Sequence, residues 1–467
     1  MVFYLSLALG FALAAIIIRI YRSVFFSLAE NSVALLDKLL TDVEDDEKIR
    51  LIQGSNKKLL LSLLKMVFTL VIALAAASVP VILFIMVTGT DFHSLDFLSL
   101  WSILAISIGA TIPFLIPLKS INISGYSELS QLLHRLALDN YTIAYRLFKK
   151  EKKKIERRKL ERRQDFIIIS GLARAGTTSF MTDLSKIGDF VSLNYGNMPF
   201  LLSPNLWAKI YKPRSRELKE RSHKDGIMIG LDSSEALEEF FFKVKAGDSY
   251  IHEEVLNEYS IPEDDYIDYI DYQTIIKLDD SKIYLAKNNN FILRYRSVRE
   301  YNKDFMMVIL FRDPLTHASS LLEKHLDYRN MQNEDRFILE YMDWLGHHEF
   351  GLHQKQFVFQ EKSNIISGDR DKLDYWLKIW MNYYTFVLGI KDRNTLLINY
   401  DAYCTNPTEV IEKIVRKSGI TAELPDYRSF TNKRKAEHDY SPDILKMADT
   451  IYQQLVIRSM EDHNLKN

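Results

Sequence analysis

Three long uncharged runs, all before residue 120, constrain this chain more than any other feature. They lie at roughly 2–20, 66–88 and 98–118. Each is long enough to cross a bilayer, which takes about 20 apolar residues per helix, so residues 1–120 are predicted to be a membrane region of three spans. The first run, VFYLSLALGFALAAIIIRI, lacks the basic start of a signal peptide, and its first basic residues, Arg19 and Arg22, follow the apolar stretch. That order favours an uncleaved anchor with its C-terminal end in the cytoplasm. Pro80 in the second run and Pro113 and Pro117 in the third are tolerated in membrane helices and predict kinks.

Charge sets the expected orientation. The loop TGTDFHSLDF has two Asp and no Lys or Arg, whereas residues 149–163, KKEKKKIERRKLERR, hold ten Lys and Arg against three Glu. The positive-inside bias therefore puts the basic run in the cytoplasm and the N-terminus outside. The run reads either as a solvated helix laced with Glu–Lys pairs or as a contact for anionic headgroups, and both place it at the membrane surface. Glycosylation-type tripeptides at 122–124 and 140–142 leave a luminal orientation open, although the loop charges favour the cytoplasm. Residues 121–164 are expected to be a basic helical linker and 165–467 a separate globular domain. The net charge of −1 gives no reason to expect nucleic acid as the main partner, and 12% aromatic residues argue against disorder. The single cysteine, Cys404, excludes an intramolecular disulfide framework and a cysteine-built zinc site.

At 166–180 the chain reads FIIISGLARAGTTSF, the pattern of a strand, a turn and a helix. Gly171 and Gly176 allow the backbone to approach a ligand, and the turn amides with Thr177 and Thr178 can surround a phosphate. The spacing is close to GxxxxGK[ST], but Thr177 occupies the lysine position and the loop's cation is Arg174. A triphosphate transfer site uses that lysine and a magnesium carboxylate. A single phosphate beside a transferring group can be held by amides, hydroxyls and one cation. The bland alternative is an αβ turn that binds nothing. A second crossover follows, FMMVILF at 305–311 running into RDPLTHASSLLEKH. With a helix beginning near Leu315, Arg312 and Ser320 face one crevice at the carboxyl edge of a parallel sheet. Two such crossovers point to a nucleotide with phosphates at both ends.

The order RAGTT, then RDPLTHASS, resembles the sulfotransferases that use 3′-phosphoadenosine 5′-phosphosulfate (PAPS). HKDGIMIGLDSSEALEEFFF (223–242), LAKNNNFILRY (285–295) and YMDWLGHHEFGL (341–352) are similar to the bacterial branch of that family. The likeness covers about 166–440. It implies a P-loop sulfotransferase-like α/β domain of three layers with a central parallel sheet, preceded here by the helical transmembrane region. It also implies a 5′-phosphosulfate loop of Arg174, Ala175, Gly176, Thr177, Thr178 and Ser179, and a 3′-phosphate site of Arg312 and Ser320. Arg174 stands where many soluble members have lysine, and the resemblance implies that it contacts the bridging oxygen and stabilises charge on the departing phosphate. PAPS is then the donor, adenosine 3′,5′-diphosphate (PAP) the product, and no metal is expected.

Sulfuryl transfer needs a base for the acceptor proton. His223 qualifies by its ordinary pKa of about 6.5, and Glu235 because family members acting on carbohydrates commonly use a glutamate. The alternatives are a solvated histidine, and a carboxylate placed for the start of a helix that Ser233 can cap. Lys287 stands where many sulfotransferases have a Lys-Ser-Pro-like motif, here Lys287-Asn288-Asn289, and the resemblance implies a sulfonate contact; a solvent-facing lysine at a strand end is the alternative. His347, His348 and Glu349 are adjacent and so do not project together for a metal, which leaves packing or an acceptor pocket. Trp376 and Trp380 share a helical face and read as core. LLINYDAY, 396–403, reads as a late strand with a structural Asp401. Lys433, Arg434 and Lys435 could close on a 3′-phosphate as in the family, but read better as a solvated run.

The expectation is a membrane-anchored sulfotransferase whose catalytic domain faces the cytoplasm. Its acceptor would be a hydroxyl or amine of an amphiphile at the inner leaflet, such as a glycolipid or lipid-linked saccharide. A P-loop kinase or other nucleotide triphosphatase, and a non-catalytic membrane scaffold that keeps this fold, are the two rivals.

Overall fold

The computed structural model describes residues 1–116, 123–211, 219–220, 228–229, 236–359, 365–430 and 438–464. The chain forms two compact units, one of residues 1–122 and 126–143, the other of 123–125 and 144–467.

The first unit contains α1 (Val2–Ile20), α2 (Arg22–Leu40), α3 (Asp45–Thr88), α4 (Leu100–Leu115) and α5 (Glu128–Leu138). Two of these, α1 and α3, are long and apolar enough to cross a membrane. The second expected span is the C-terminal half of a single 44-residue helix, about 66 Å long, because nothing in the polar stretch 45–65 interrupts helical hydrogen bonding. The third expected span differs more. Its described part is a helix of 16 residues, short of the usual spanning length, and Pro117 lies outside the described residues. Small residues let these helices approach: a Cβ on Gly10 would collide with the Ala77 carbonyl, and one on Gly109 with the Ala8 carbonyl. Glycine at such contacts allows the backbone closeness typical of helices packed in lipid.

Helix α6 (Tyr141–Arg158) starts at the boundary and lies mostly in the second unit, followed by β1 (Phe166–Ser170), α7 (Thr177–Leu184), β2 (Phe190–Val191) and α8 (Pro204–Ile210). Then come β3 (Lys219–Glu220), β4 (Met228–Ile229), α9 (Glu239–Ala246), β5 (Val255–Asn257), α10 (Glu263–Lys277) and β6 (Ile283–Lys287). The chain continues through α11 (Tyr295–Tyr301), β7 (Met306–Phe311), α12 (Pro314–Glu334), α13 (Arg336–Trp344) and β8 (Gln356–Val358). It ends with α14 (Leu373–Gly389), β9 (Thr395–Asn399), α15 (Tyr400–Thr405), α16 (Pro407–Lys417) and α17 (Pro442–Asn464).

Five strands form the central sheet in the order β2-β6-β1-β7-β9, and every pair is parallel. The three middle strands are buried along their whole length, as expected of a parallel sheet covered on both sides. Period-two alternation then assigns the faces. Ile167, Ile169, Val308 and Leu310 pack with Phe180 of α7 and Ile411 and Ile414 of α16. On the other face Phe166 stacks on Phe305 and meets Tyr269 of α10 edge-on, while Phe311 meets Tyr384 of α14 and Tyr452 of α17. The protein is thus α/β with a central parallel sheet. Trp376 and Trp380 of α14 are buried as core. The late strand ends at Asn399, and Asp401 lies in the first turn of α15 rather than after a longer strand.

The basic run divides in two. Lys152 pairs with Asp271 at 2.8 Å and with Asp268, and Arg162 reaches Asp271 at 2.6 Å, so part of it docks on the acidic side of α10. Lys149, Lys150, Lys153, Arg157 and Arg158 are exposed. Burial tends to raise the Asp268 carboxyl's pKa, but hydrogen bonds from Lys152, Lys245 and Tyr145 win and hold it below the usual value.

Two buried charges form a bidentate pair. Both terminal nitrogens of Arg294 donate to Glu239 at 2.6 Å, the arginine is 0% exposed, and its guanidinium lies 4.1 Å from the centre of the Phe242 ring. Arg294→Met would leave the Glu239 carboxylate buried without its counter-charge and should destabilise the protein by about 3–5 kcal/mol. Pairing it with Glu239→Leu should restore much of that loss. Chemical denaturation followed through the aromatic core checks both, and a single variant as stable as the parent would refute the role of the pair.

His325 of α12 makes a second prediction. Its Nδ1 accepts from the Gly351 amide at 3.2 Å, and burial, aided by Arg329, lowers its pKa to about 4. The unfolded chain, with an ordinary value near 6.5, therefore binds the proton first, so stability present above pH 6.5 is lost as pH falls towards 4. His325→Asn, which keeps an acceptor for Gly351, should flatten that part of a pH-dependent unfolding profile; an unchanged slope would exclude His325 as its source.

Candidate active site

The site grows from the carboxyl ends of β6, β1 and β7. The register that sets Ser170 beside Ile309 brings the turn after β1 against the end of β7. Two glycines make that possible. At Gly171 φ is +147° and a Cβ would sit 2.7 Å from the Leu310 carbonyl; at Gly176 φ is +95° and a Cβ would run into the Tyr400 ring. Larger residues at either position would meet both steric overlap and an unfavourable backbone region. Arg174, between them, also has a positive φ of +69°. A non-glycine residue in that region commonly marks a functional turn.

The two crossover motifs meet here. Arg174 Nε donates to Ser320 Oγ at 3.2 Å, and Arg312 Nη1 donates to the Arg174 carbonyl at 3.4 Å. Helix α12 starts at Pro314 with Asp313 as its cap, accepting from the Thr316 amide at 2.8 Å, one residue before the expected start. Arg312 and Ser320 are both buried. Ala175 is fully buried and its amide closes the turn onto the Leu172 carbonyl at 3.1 Å. Thr177 opens α7, with Thr178 and Ser179 half-buried in its first turn. There the N-terminal amides and helix dipole favour an anion.

Lys287 ends β6 and donates to Thr178 Oγ1 at 2.7 Å. It is 6% exposed, so the reading as a solvent-facing lysine is set aside. The three asparagines that follow are anchors. Asn288 donates to Glu238 and Glu239, both at 3.0 Å. Asn289 donates to Glu349 at 3.3 Å, and Asn290 to the Gly346 carbonyl at 2.7 Å. Glu238 also accepts from Tyr269 at 2.6 Å and Tyr284 at 2.9 Å; burial raises its pKa despite these donors. Glu349 thereby reaches the same strand end as Lys287. His347 contacts the Ala236 carbonyl at 3.0 Å, while His348 is buried near Asp343 with its pKa pushed well below the usual range by desolvation. His348 is thus packed into the fold while His347 is half-buried, and among the described residues no His, Cys, Asp and Glu group is arranged to hold a metal ion.

His223, Glu235, and the basic residues Lys433, Arg434 and Lys435 lie outside the described residues. The helix after Glu235 is described from Glu239. Two contributors escaped the reading of the sequence. His317 of α12 is fully buried with Nε2 2.7 Å from the Ala173 carbonyl, holding the turn from below; its position three residues before Ser320 puts both on one helical face, which was a usable signal. Tyr400, whose ring lies 5.6 Å from the Arg312 guanidinium, carried no signal beyond its place at a strand end.

No family model matches the chain, and no curated protein matches its sequence. Solved structures similar to it are bacterial sulfotransferases. Sulfotransferase STF1 from Mycobacterium tuberculosis is 14% identical with a TM-score of 0.39, over 82% of this chain and 93% of that one. STF9 from Mycobacterium avium is 12% identical with a TM-score of 0.36, over 78% and 82%. A sulfotransferase from Alicyclobacillus acidocaldarius is 12% identical with a TM-score of 0.29, over 64% and 95%.

Proposed function

We propose that the protein transfers a sulfuryl group from a PAPS-type donor to a hydroxyl or amine. The observation that carries this reading is the direct coupling of the two crossover motifs, Arg174 to Ser320 and Arg312 to the Arg174 carbonyl. Such a joint suits a nucleotide with phosphate on both sides of its ribose better than a linear triphosphate. The residues fit that ligand: the turn is cleared by Gly171 and Gly176, and cationic and hydroxyl groups converge on it. The bound donor would supply an activated sulfuryl group with PAP as its leaving group.

In this reading Arg174, Ala175, Gly176, Thr177, Thr178 and Ser179 hold the 5′ side, and Arg312 with Ser320 the 3′-phosphate. Arg174 and the amides of α7 stabilise the negative charge that develops on the departing oxygen. Lys287, hydrogen-bonded to Thr178, orients the sulfonate. The proton leaving the acceptor goes to His223 or Glu235, with Glu349, hydrogen-bonded to Asn289, a third candidate. The apolar helices α1 and α3 support a membrane anchor, and the basic residues after α4 support a cytoplasmic catalytic domain. An acceptor at the inner leaflet, such as a glycolipid or lipid-linked saccharide, follows from that placement.

Titration of the detergent-solubilised full chain with PAP and, separately, with ATP–magnesium tests the donor assignment. PAP should bind preferentially, and Arg312→Ala should weaken it about tenfold or more, the loss of a charge-assisted hydrogen bond. Preference for ATP–magnesium, indifferent to Arg312, would establish the kinase reading instead. Gly176→Ala should abolish PAP binding by pushing the turn off Tyr400; wild-type affinity in that variant would rule out this turn as the phosphate cradle. PAP binding with no transfer of label from radiolabelled PAPS to a membrane lipid extract would favour the scaffold.

A further inference from the structure

The first unit holds a half-open cavity of about 360 Å³ whose wall carries three arginines, Arg19, Arg22 and Arg135, with Glu128, Gln131 and Phe26. Its position in the sequence is specific. Arg19 lies in the last turn of α1, where the apolar run stops, and Arg22 opens α2 one residue after the break. The cavity therefore sits at the end of an apolar helix, the level at which a bilayer gives way to its headgroups.

Each arginine is held in place by a different element of this unit. Arg19 donates to the carbonyls of Pro113 and Ile116 at the end of α4. Arg22 forks onto Glu128 at the start of α5. Arg135, seven residues further along α5 and so on the same side as Glu128, lies 3.6 Å from Glu30 of α2. Three guanidinium groups against two carboxylates, Glu128 in the wall and Glu30 behind Arg135, leave one positive charge in excess, and Phe26 supplies an apolar side. Orientation by existing contacts lowers the entropy lost when planar guanidinium groups bind an anion. The volume lies within the range of small-molecule sites.

We propose that this cavity is a site for the phosphate group of an anionic phospholipid, read by Arg19, Arg22 and Arg135, with the lipid chains running along the apolar face of α1. Basic pockets between membrane helices on the cytoplasmic side characteristically take such headgroups, and arginine suits phosphate through paired hydrogen bonds. The site rests on α1 and α3 spanning a bilayer and is independent of the sulfotransferase reading.

Native mass spectrometry of the detergent-solubilised full chain, titrated with dihexanoyl phosphatidylglycerol or dihexanoyl phosphatidylcholine, tests it. One molecule of phosphatidylglycerol should be retained in preference to the zwitterionic lipid. Arg135→Gln, which keeps a donor for Glu30, should weaken retention about tenfold. Phe26→Trp fills the cavity without changing charge and should weaken it similarly, while PAP binding stays as in wild type for both variants. Displacement of the lipid by millimolar inorganic phosphate, lost in the same variants, would uphold the site and show that the phosphate alone is recognised. Equal retention of the two lipids, or unchanged retention in both variants, would overturn the proposal, whatever the outcome of the PAP titration.

Discussion

Parallel pairing of β1 with β7 is the constraint on which the site depends. It sets Ser170 beside Ile309, so the turn that follows β1 must pass directly over the end of β7. Only glycine at 171 clears the Leu310 carbonyl there, and once it does, Arg174 lies within reach of Ser320 and its carbonyl within reach of Arg312. Two motifs more than 130 residues apart in sequence thus form one edge. A slip of register by one residue would turn every β1 side chain to the opposite face and separate them.

Beneath this edge lies a polar network that an apolar core would not need. Glu238, Glu239 and Arg294 are buried, and Asn288 connects the two carboxylates to the strand that ends in Lys287. A buried ion pair is weak evidence for stability, since desolvation offsets much of its attraction. Its effect is better understood as fixing one geometry: fully hydrogen-bonded networks resist alternative packings because each leaves a charge unpaired. Here the fixed elements are α9, β6 and the segment 346–349, which together position Lys287 and Glu349.

The first unit follows different physics. Its helices pack through close backbone approach, with Gly10 and Gly109 meeting carbonyls of neighbouring helices, a contact that also serves helices packed in lipid. Arginines gather where α1 ends and α2 begins, and they join α4 and α5 to that end through carbonyls and Glu128.

Local chemistry made much of the fold legible. The β-branched and apolar runs at 166–170 and 306–311, each followed by a turn and a helical pattern, identified two crossovers and hence a parallel α/β sheet, and α1 matches its apolar run residue for residue. The length of α3, the shortness of α4, and the pairing of Lys152 and Arg162 with α10 were not legible. Helix continuation through polar sequence costs little, so no marker shows it, and ion pairs between segments over 100 residues apart leave no local periodicity. The sequence alone determined which residues are candidates for a phosphate cradle, because Gly171, Arg174, Gly176, Arg312 and Ser320 carry the needed backbone freedom, charge and hydroxyl individually. Only the tertiary structure decided that they meet, and that Asn288, Asn289, His317, Glu349 and Tyr400 surround them, because strand register and burial bring together side chains that the chain keeps far apart.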